Sequence, residues 1–251
     1  KRQNKNEIVE LVKDYVHPET GKTYNVDKLE LKTDEGRGFG KAKFILKEGG
    51  TLGDLYTHAD LKRDINGNIL IDDSGNVTAI DNAGDIKLGS VLPKANLAWN
   101  NSFSYKGINA GFLLTARLGG IVYSATQAYL DLYGVSETSA AARDAGGVWI
   151  NGRSHVNPQS FYEVVASQSG LPTYYTYSAT NLRLQEAHIG YTVPRRWLGN
   201  VCDINVSLVG RNLWMIYCKA PFDPEAVATT NNYYQGIDYF MMPSLRSLGF
   251  N

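Results

Sequence analysis

The sequence contains no apolar run of 18 residues, so no helix in it is long and apolar enough to cross a membrane. A spanning β-strand needs only about 9–11 residues of weak alternation and is not excluded. Cysteine is scarce. Cys202 and Cys218 are the two present. If the segment between them is extended they stand roughly 50 Å apart, far beyond disulfide reach, so both are expected to be free thiols. Net charge is absent too, with 25 basic and 25 acidic residues, which removes a general nucleic-acid footprint or polybasic membrane patch. The four histidines, His17, His58, His155 and His188, have no metal-ligand spacing. His188 falls within a strand pattern and is expected to be a satisfied wall residue. There is no G-x-S-x-G elbow and no Walker loop, and "GRGFGK" at 36–41 has the wrong spacing for a dinucleotide fingerprint. Nothing in these patterns supplies a nucleophile or an acid/base pair. The expectation is a protein that is not an enzyme and takes no cofactor. The chain begins at Lys1 without a signal peptide and is expected to be cut or processed at both ends.

Charge is unevenly spread. Residues 1–90 hold 14 Lys/Arg and 16 Asp/Glu, 30 of the 50 charges, and the remainder is rich in Tyr, Trp, Asn, Ser and Gly. Within that remainder β-strand alternation is clear. In "NLAWNNSFSY", Leu97, Trp99, Phe103 and Tyr105 share one face, opposite Asn96, Ala98, Asn100, Ser102 and Ser104. After Lys106-Gly107, "INAGFLLTARL" puts Ile108, Ala110, Phe112, Leu114 and Leu118 on one face. The spacing predicts a hairpin of two strands of about ten residues, longer than the usual five or six.

A second pair is predicted at 181–193 and 204–214, joined by "PRRWLGNVCD", and a last strand begins at Ser244. Connections alternate: short at 106–107 and 194–203, long from about 119 to 180 and from about 215 to 243. That rhythm fits short periplasmic turns and long extracellular loops. On strand periodicity alone, a soluble sandwich strand stays equally open. The long loops have helical spacing in "VYSATQAYLDLYG" and "SETSAAARDAGG". In the charged first part, "NKNEIVELV", "KAKFILKEGG" and "TLGDLYTHADL" read as strand pieces. "DINGNILIDDSGN" carries turn signals at Asn66-Gly67 and Ser74-Gly75. Its alternating Asp64, Asn66 and Asn68 suggest calcium, but glycine and glutamate miss their EF-hand positions, and a hairpin turn is the better reading.

The segments "NLRLQEAHIGYTVP", "VSLVGRNLWMIY", "KAPFDPE", "YYQGIDYFMMPSLRSLGFN" and "ARDAGGVWINGR" together resemble the C-terminal part of the SusC/RagA family. These are TonB-dependent outer-membrane transporters of the Bacteroidetes. "NKNEIVEL" and "LGSVLPKANLAWNNSFSYKG" extend the resemblance over nearly the whole chain. The resemblance implies an all-β fold in which residues 1–251 are C-terminal strands of a 22-stranded, plugged transmembrane β-barrel. It implies long extracellular loops with short helices, and an outer-membrane location. The N-terminal domain, TonB box and plug are expected to lie outside this chain. It also implies import of a glycan or peptide, energised by TonB, with a SusD-like lipoprotein as partner, the lipid bilayer around the wall and no nucleic acid.

On this reading Trp214 and Tyr217 belong to the upper aromatic girdle. Arg183, Glu186 and Arg211 are expected to point into the lumen as structural charges, because charge on a lipid face is costly. Tyr174, Tyr175, Tyr177, Tyr233, Tyr234 and Tyr239 are candidates to face substrate from the loops, girdle or loop packing being the commoner role of such rings. The competing architecture is a secreted β-sandwich that holds carbohydrate on Tyr-rich loops, with shorter strands buried on two sides. A hydrolase ranks last.

Overall fold

The computed structural model describes residues 7–31, 41–152, 154–167, 170–199, 201–202, 204–227 and 235–251. Its main elements are β1 (Lys28–Leu31), β2 (Ala42–Lys47), β3 (Asp54–Thr57), β4 (Ile86–Ser90), β5 (Ala95–Tyr105), β6 (Ile108–Leu118) and β7 (Ile121–Ser124). There follow α1 (Ala125–Leu132), α2 (Glu137–Asp144), α3 (Pro158–Val165), β8 (Thr176–Ser178), β9 (Asn181–Val193), β10 (Ile204–Cys218), β11 (Ile237–Asp238) and β12 (Ser247–Phe250). The long strands form one antiparallel meander in the order β12-β10-β9-β6-β5. The turn between β5 and β6 has positive φ at both Lys106 and Gly107, the mirror-image turn whose twist matches a two-residue hairpin.

Register sorts the side chains. Across the sheet, Tyr105, Ile108, Tyr191 and Val206 form one row, and Phe103, Ala110, Ile189, Leu208 and Phe250 the next. Trp99, Leu114, Leu184 and Trp214 follow further along, then Leu97, Ala116, Leu182 and Tyr217. The opposite face runs Ser104, Asn109, Gly190, Ser207, then Asn100, Leu113, Glu186, Arg211, then Asn96, Arg117, Asn181, Cys218. One face is thus apolar with aromatic rings at both ends, and the other is mostly polar.

Alternation alone would not produce this sorting. Counting back from Tyr191, Ile189 and Ala187, strict alternation would put Arg183 on the apolar face. Gln185 is an extra residue relative to β6, since Leu113 pairs with Glu186 and Leu114 with Leu184. The bulge flips the parity, carrying Leu184 and Leu182 to the apolar face and Arg183 to the polar one. β10 compensates with extra residues at Asn212–Leu213 and Ile216. Asn212 sits at φ +50, and its side-chain oxygen accepts from the Gln185 side-chain Nε2 at 2.8 Å. These insertions are why the apolar–polar rhythm of β10 dissolves near Leu213, and why the strand runs on to Cys218.

The buried apolar core lies elsewhere. Phe44, Leu55, Leu61, Val91, Tyr123, Phe161, Val165, Leu171 and Ile237 belong to it, and β5, β6, β9, β10 and β12 contribute no residue. The described residues of the first 91 and of the long 119–180 connection therefore fold together as a cap. It sits at the end of the sheet where β5 begins and β6 ends. α1 starts at Ser124, whose hydroxyl accepts from the Gln127 amide, and α2 starts at Ser136 in the same way. α3 has no counterpart among the expected helices. Its signal was present in Asn157-Pro158, an N-cap whose side-chain oxygen accepts from the Gln159 and Ser160 amides, with proline in the first turn. Of the expected strand at 4–12, the described part makes one isolated bridge, Glu7 to Thr51.

The "DINGN" and "DDSGN" turns are alike. Asp64 and Asp72 each accept from the amides two and four residues on, so one carboxylate oxygen in each closes its own turn. Residues 36–40 of "GRGFGK" lie outside the described residues.

On the apolar face Trp99 is 58 % exposed, Leu208 50 % and Phe250 78 %, with no second sheet packed against them among the described residues. That arrangement does not favour the sandwich. Together with the open edges of β5 and β12, it predicts that the isolated chain associates in buffer and disperses in detergent. Light scattering with near-UV circular dichroism tests this. A monodisperse species with a cooperative melt in plain buffer would overturn it.

Candidate functional site

The polar face has its densest chemistry where the 219–246 loop folds back onto β9. The bulge at Gln185 presents Arg183 there, 4 % exposed. Its guanidinium donates to Asp223 Oδ1 at 2.7 Å, lies 3.4 Å from Glu225 Oε2 and donates to the Ser244 hydroxyl at 3.3 Å. Asp223 in turn accepts from the Glu225 amide at 3.1 Å, the Ser244 amide at 3.2 Å and the Ser244 hydroxyl at 2.5 Å. Asn181 donates to Glu225 at 3.3 Å. Both stems of the loop are therefore tied to one buried arginine. Burial works to raise the Asp223 carboxyl, but hydrogen bonds from Ser244, the Glu225 amide and Arg183 outweigh it and hold it below the ordinary carboxylate range.

Beside the knot, Glu186 accepts from Arg211 Nε at 3.1 Å on the adjoining row. Arg117 donates to the Val91 carbonyl at 2.8 Å, linking β6 to the cap. His188 lies over Gly111, where a Cβ would meet its ring at 2.5 Å. Cys202 is exposed, and the Cys218 thiol donates to the Ala220 carbonyl at 3.4 Å; both are free.

The tyrosines are dispersed. Tyr175 is 2 % exposed, its hydroxyl donating at 3.0 Å to buried Asp131, and enclosure pushes that hydroxyl well above the phenol range. A ring so enclosed has no free face for stacking. Tyr174 packs edge-on to Phe161 and is also raised by burial. Tyr177 meets Phe222 edge-on at 5.5 Å and is pushed up to about 12 by burial. Tyr239, 37 % exposed, lies beside Tyr129 and Phe240. Tyr233 and Tyr234 lie outside the described residues. Trp214 and Tyr217, 61 % and 45 % exposed, are on the apolar face near Trp99. Among the described residues no cluster of His, Cys, Asp or Glu could hold a metal ion.

Solved structures of the RagAB peptide importer share the fold. In the closed-closed state the TM-score is 0.56 at 16 % identity, covering 91 % of this chain and 25 % of that one. A further structure of the RagAB peptide transporter gives 0.55 at 15 %, covering 96 % and 24 %. The fold of this chain is that of the matching stretch of those structures. Among curated proteins, the chain is similar to TonB-dependent receptor P3 of Formosa agariphila, 23 % identical over 252 residues, covering 90 % of this chain and 24 % of that protein. No family model matches. The chain spans about a quarter of the length of the relatives it matches, and over that length it resembles a TonB-dependent transporter of SusC/RagA type.

Arg183→Ala would leave a buried carboxylate uncompensated, an expected loss of about 3–5 kcal/mol in equilibrium unfolding in detergent. Because the folded Asp223 carboxyl titrates below its unfolded value, its contribution is whole above about pH 4 and fades as pH falls through the folded pKa. Hydrogen exchange at the Glu225 and Ser244 amides, corrected for intrinsic rate, should quicken in that window and lose the dependence in Asp223→Asn. Flat exchange from pH 6 to 2 in the parent would contradict it.

Proposed function

We propose that this chain forms wall and extracellular cap of an outer-membrane, TonB-dependent importer of a bulky oligosaccharide or peptide, working with a SusD-like surface lipoprotein. The carrying observation is the two-faced sheet: an exposed apolar face edged by rings, an opposite polar face, and a conventional core confined to the cap. From the Tyr105 row to the Leu97 row is eight residues, about 26 Å along the strand, and about 20 Å in height at a barrel tilt of 35–45°. That is close to the apolar band of such barrels, about 25 Å. The likeness to TonB-dependent receptor P3 and to the RagAB peptide importer supports the same reading.

In this role the apolar face meets lipid. Trp99, Trp214 and Tyr217 form the outer girdle, and Tyr105 and Tyr191 the inner one. Arg183, Glu186 and Arg211 face the lumen as structural charges, paired as described. Tyr239, Tyr174 and Tyr177 remain the described tyrosines from which the loops would meet cargo. The chain makes and breaks no bonds; its work is to enclose a path and dock a lid.

Two measurements test this. In a folded barrel containing these strands, Leu208→Arg should cost about 2–4 kcal/mol of unfolding free energy and neighbouring Ser207→Arg close to none. Equal costs would remove the lipid-facing assignment. Deleting the transporter should abolish growth on one class of oligosaccharide or peptide; unimpaired growth on all of them would remove the import role.

A further inference from the structure

β12 covers only part of β10. Its last ladder pair on the cap side is Ser247 with Arg211, and from Asn212 to Cys218 β10 pairs with β9 alone among the described residues. Seven residues, about 23 Å of strand, thus turn a row of backbone N–H and C=O groups toward no neighbouring strand. The chain's own continuation does not fill this place. Asp223 holds the amide and the hydroxyl of Ser244, and the Leu245 carbonyl accepts from the Asn212 side chain at 3.1 Å. Along the same edge runs a cleft of about 480 Å³. Its lining comes from both faces of the sheet: Trp214 from the apolar rows, and Arg183, Met215 and Cys218 from the polar ones. A cleft on one face would be lined by that face alone. This one lies in the plane of the sheet, bordered by Phe222 and Pro243 of the loop, where β12 continued toward the cap would run.

Three charged residues line the cleft. Arg183 and Asp223 pair at 2.7 Å, which leaves the positive charge of Arg246, a residue in no ion pair among the described residues. The chemistry offered is therefore a row of donors and acceptors spaced for a strand, with a net positive border. We propose that the cleft binds an extended, acidic peptide as an added β-strand on the free edge of β10. A neutral oligosaccharide presents hydroxyls at no strand repeat and leaves ladder groups unpaired. A peptide backbone matches the row group for group, and its carboxylates answer the remaining charge. This rests on the import reading above and narrows its cargo at this site to peptide.

The test measures, by fluorescence anisotropy, binding of a labelled heptapeptide of alternating Thr and Val with Glu at both ends to the complete transporter in detergent. Strand addition engages every second peptide amide. N-methylation of one alternate set should weaken binding by about tenfold or more, as for several ladder bonds lost, and of the other set by less than about threefold. Arg246→Glu should weaken it about fivefold, and so should Lys in place of the peptide's Glu. In a Cys202→Ser background, bound peptide should shield the free thiol of Cys218 from maleimide. Equal effects of the two methylated sets overturn strand addition. Equal competition by maltoheptaose makes the cleft a sugar site and overturns it too. Shielding of Cys218 before peptide is added means that a segment of the assembled protein, its partner or a second copy already covers the edge, and the proposal fails. Growth of the deletion strain judges the import reading separately. Lost growth without peptide binding sinks this site and keeps the import role; binding in phase with unimpaired growth does the reverse.

Discussion

A sheet with one exposed apolar face and one polar face has to close its backbone hydrogen bonds within the sheet while holding every charge on one side. Here that constraint rests on one bulge. Were Gln185 a regular member of the ladder, β9 would carry Arg183 on the same face as Ala187, Ile189 and Tyr191. With the bulge, the strand changes parity midway and still supplies apolar residues to the same face on both sides of the change, Leu182 and Leu184 before it and Ala187 and Ile189 after it. The adjoining strand adjusts at Asn212–Leu213 and Ile216. Bulges re-aim side chains at the cost of unpaired backbone, and the Gln185–Asn212 side-chain bond bridges the place where the ladder is broken.

The chain buries apolar surface in two different ways. The cap does it as water-soluble domains do, around Phe44, Leu55, Tyr123 and Val165. Its buried polar groups are satisfied internally: Asp131 accepts from Gln127, Ser136 and Tyr175, and Ser124 donates to Asp238 at 2.6 Å. The wall contributes no residue to that core and leaves much of its apolar face exposed, so on the proposed reading its stability as a sheet comes from a bilayer and from neighbouring strands. This division accounts for the charge asymmetry along the sequence. The charged first third belongs largely to the cap, which meets water, and the sparsely charged remainder contains the wall.

The wall was legible in the sequence, and the cap much less so. Strand periodicity located β5, β6 and β9 almost to the residue, because one-sided burial imposes a period of two whatever the apolar solvent. β10 was cut short at Trp214 since its bulges erase the period, and β12 was begun early at Ser244. The reason lies in Asp223, 21 residues distant, which takes the Ser244 hydroxyl and amide out of the ladder. The cap resisted because its core joins segments from Ala42 to Ile237, and no local pattern records such pairings. A run such as "TYYTY" exposes its tyrosines in sequence; only the packing around Asp131 distinguishes Tyr175 from its neighbours.

The 219–246 loop joins the two parts mechanically. At one end its stems are bonded to Arg183 in the wall. At the other, β11 lies parallel to β7, and the Phe240 amide donates to Thr126 at 2.6 Å in the cap. The loop therefore cannot follow the cap without pulling on Asp223 and Ser244. One carboxylate both neutralises the buried arginine and fixes the loop. The wall is thus coupled to the loops above it through hydrogen bonds.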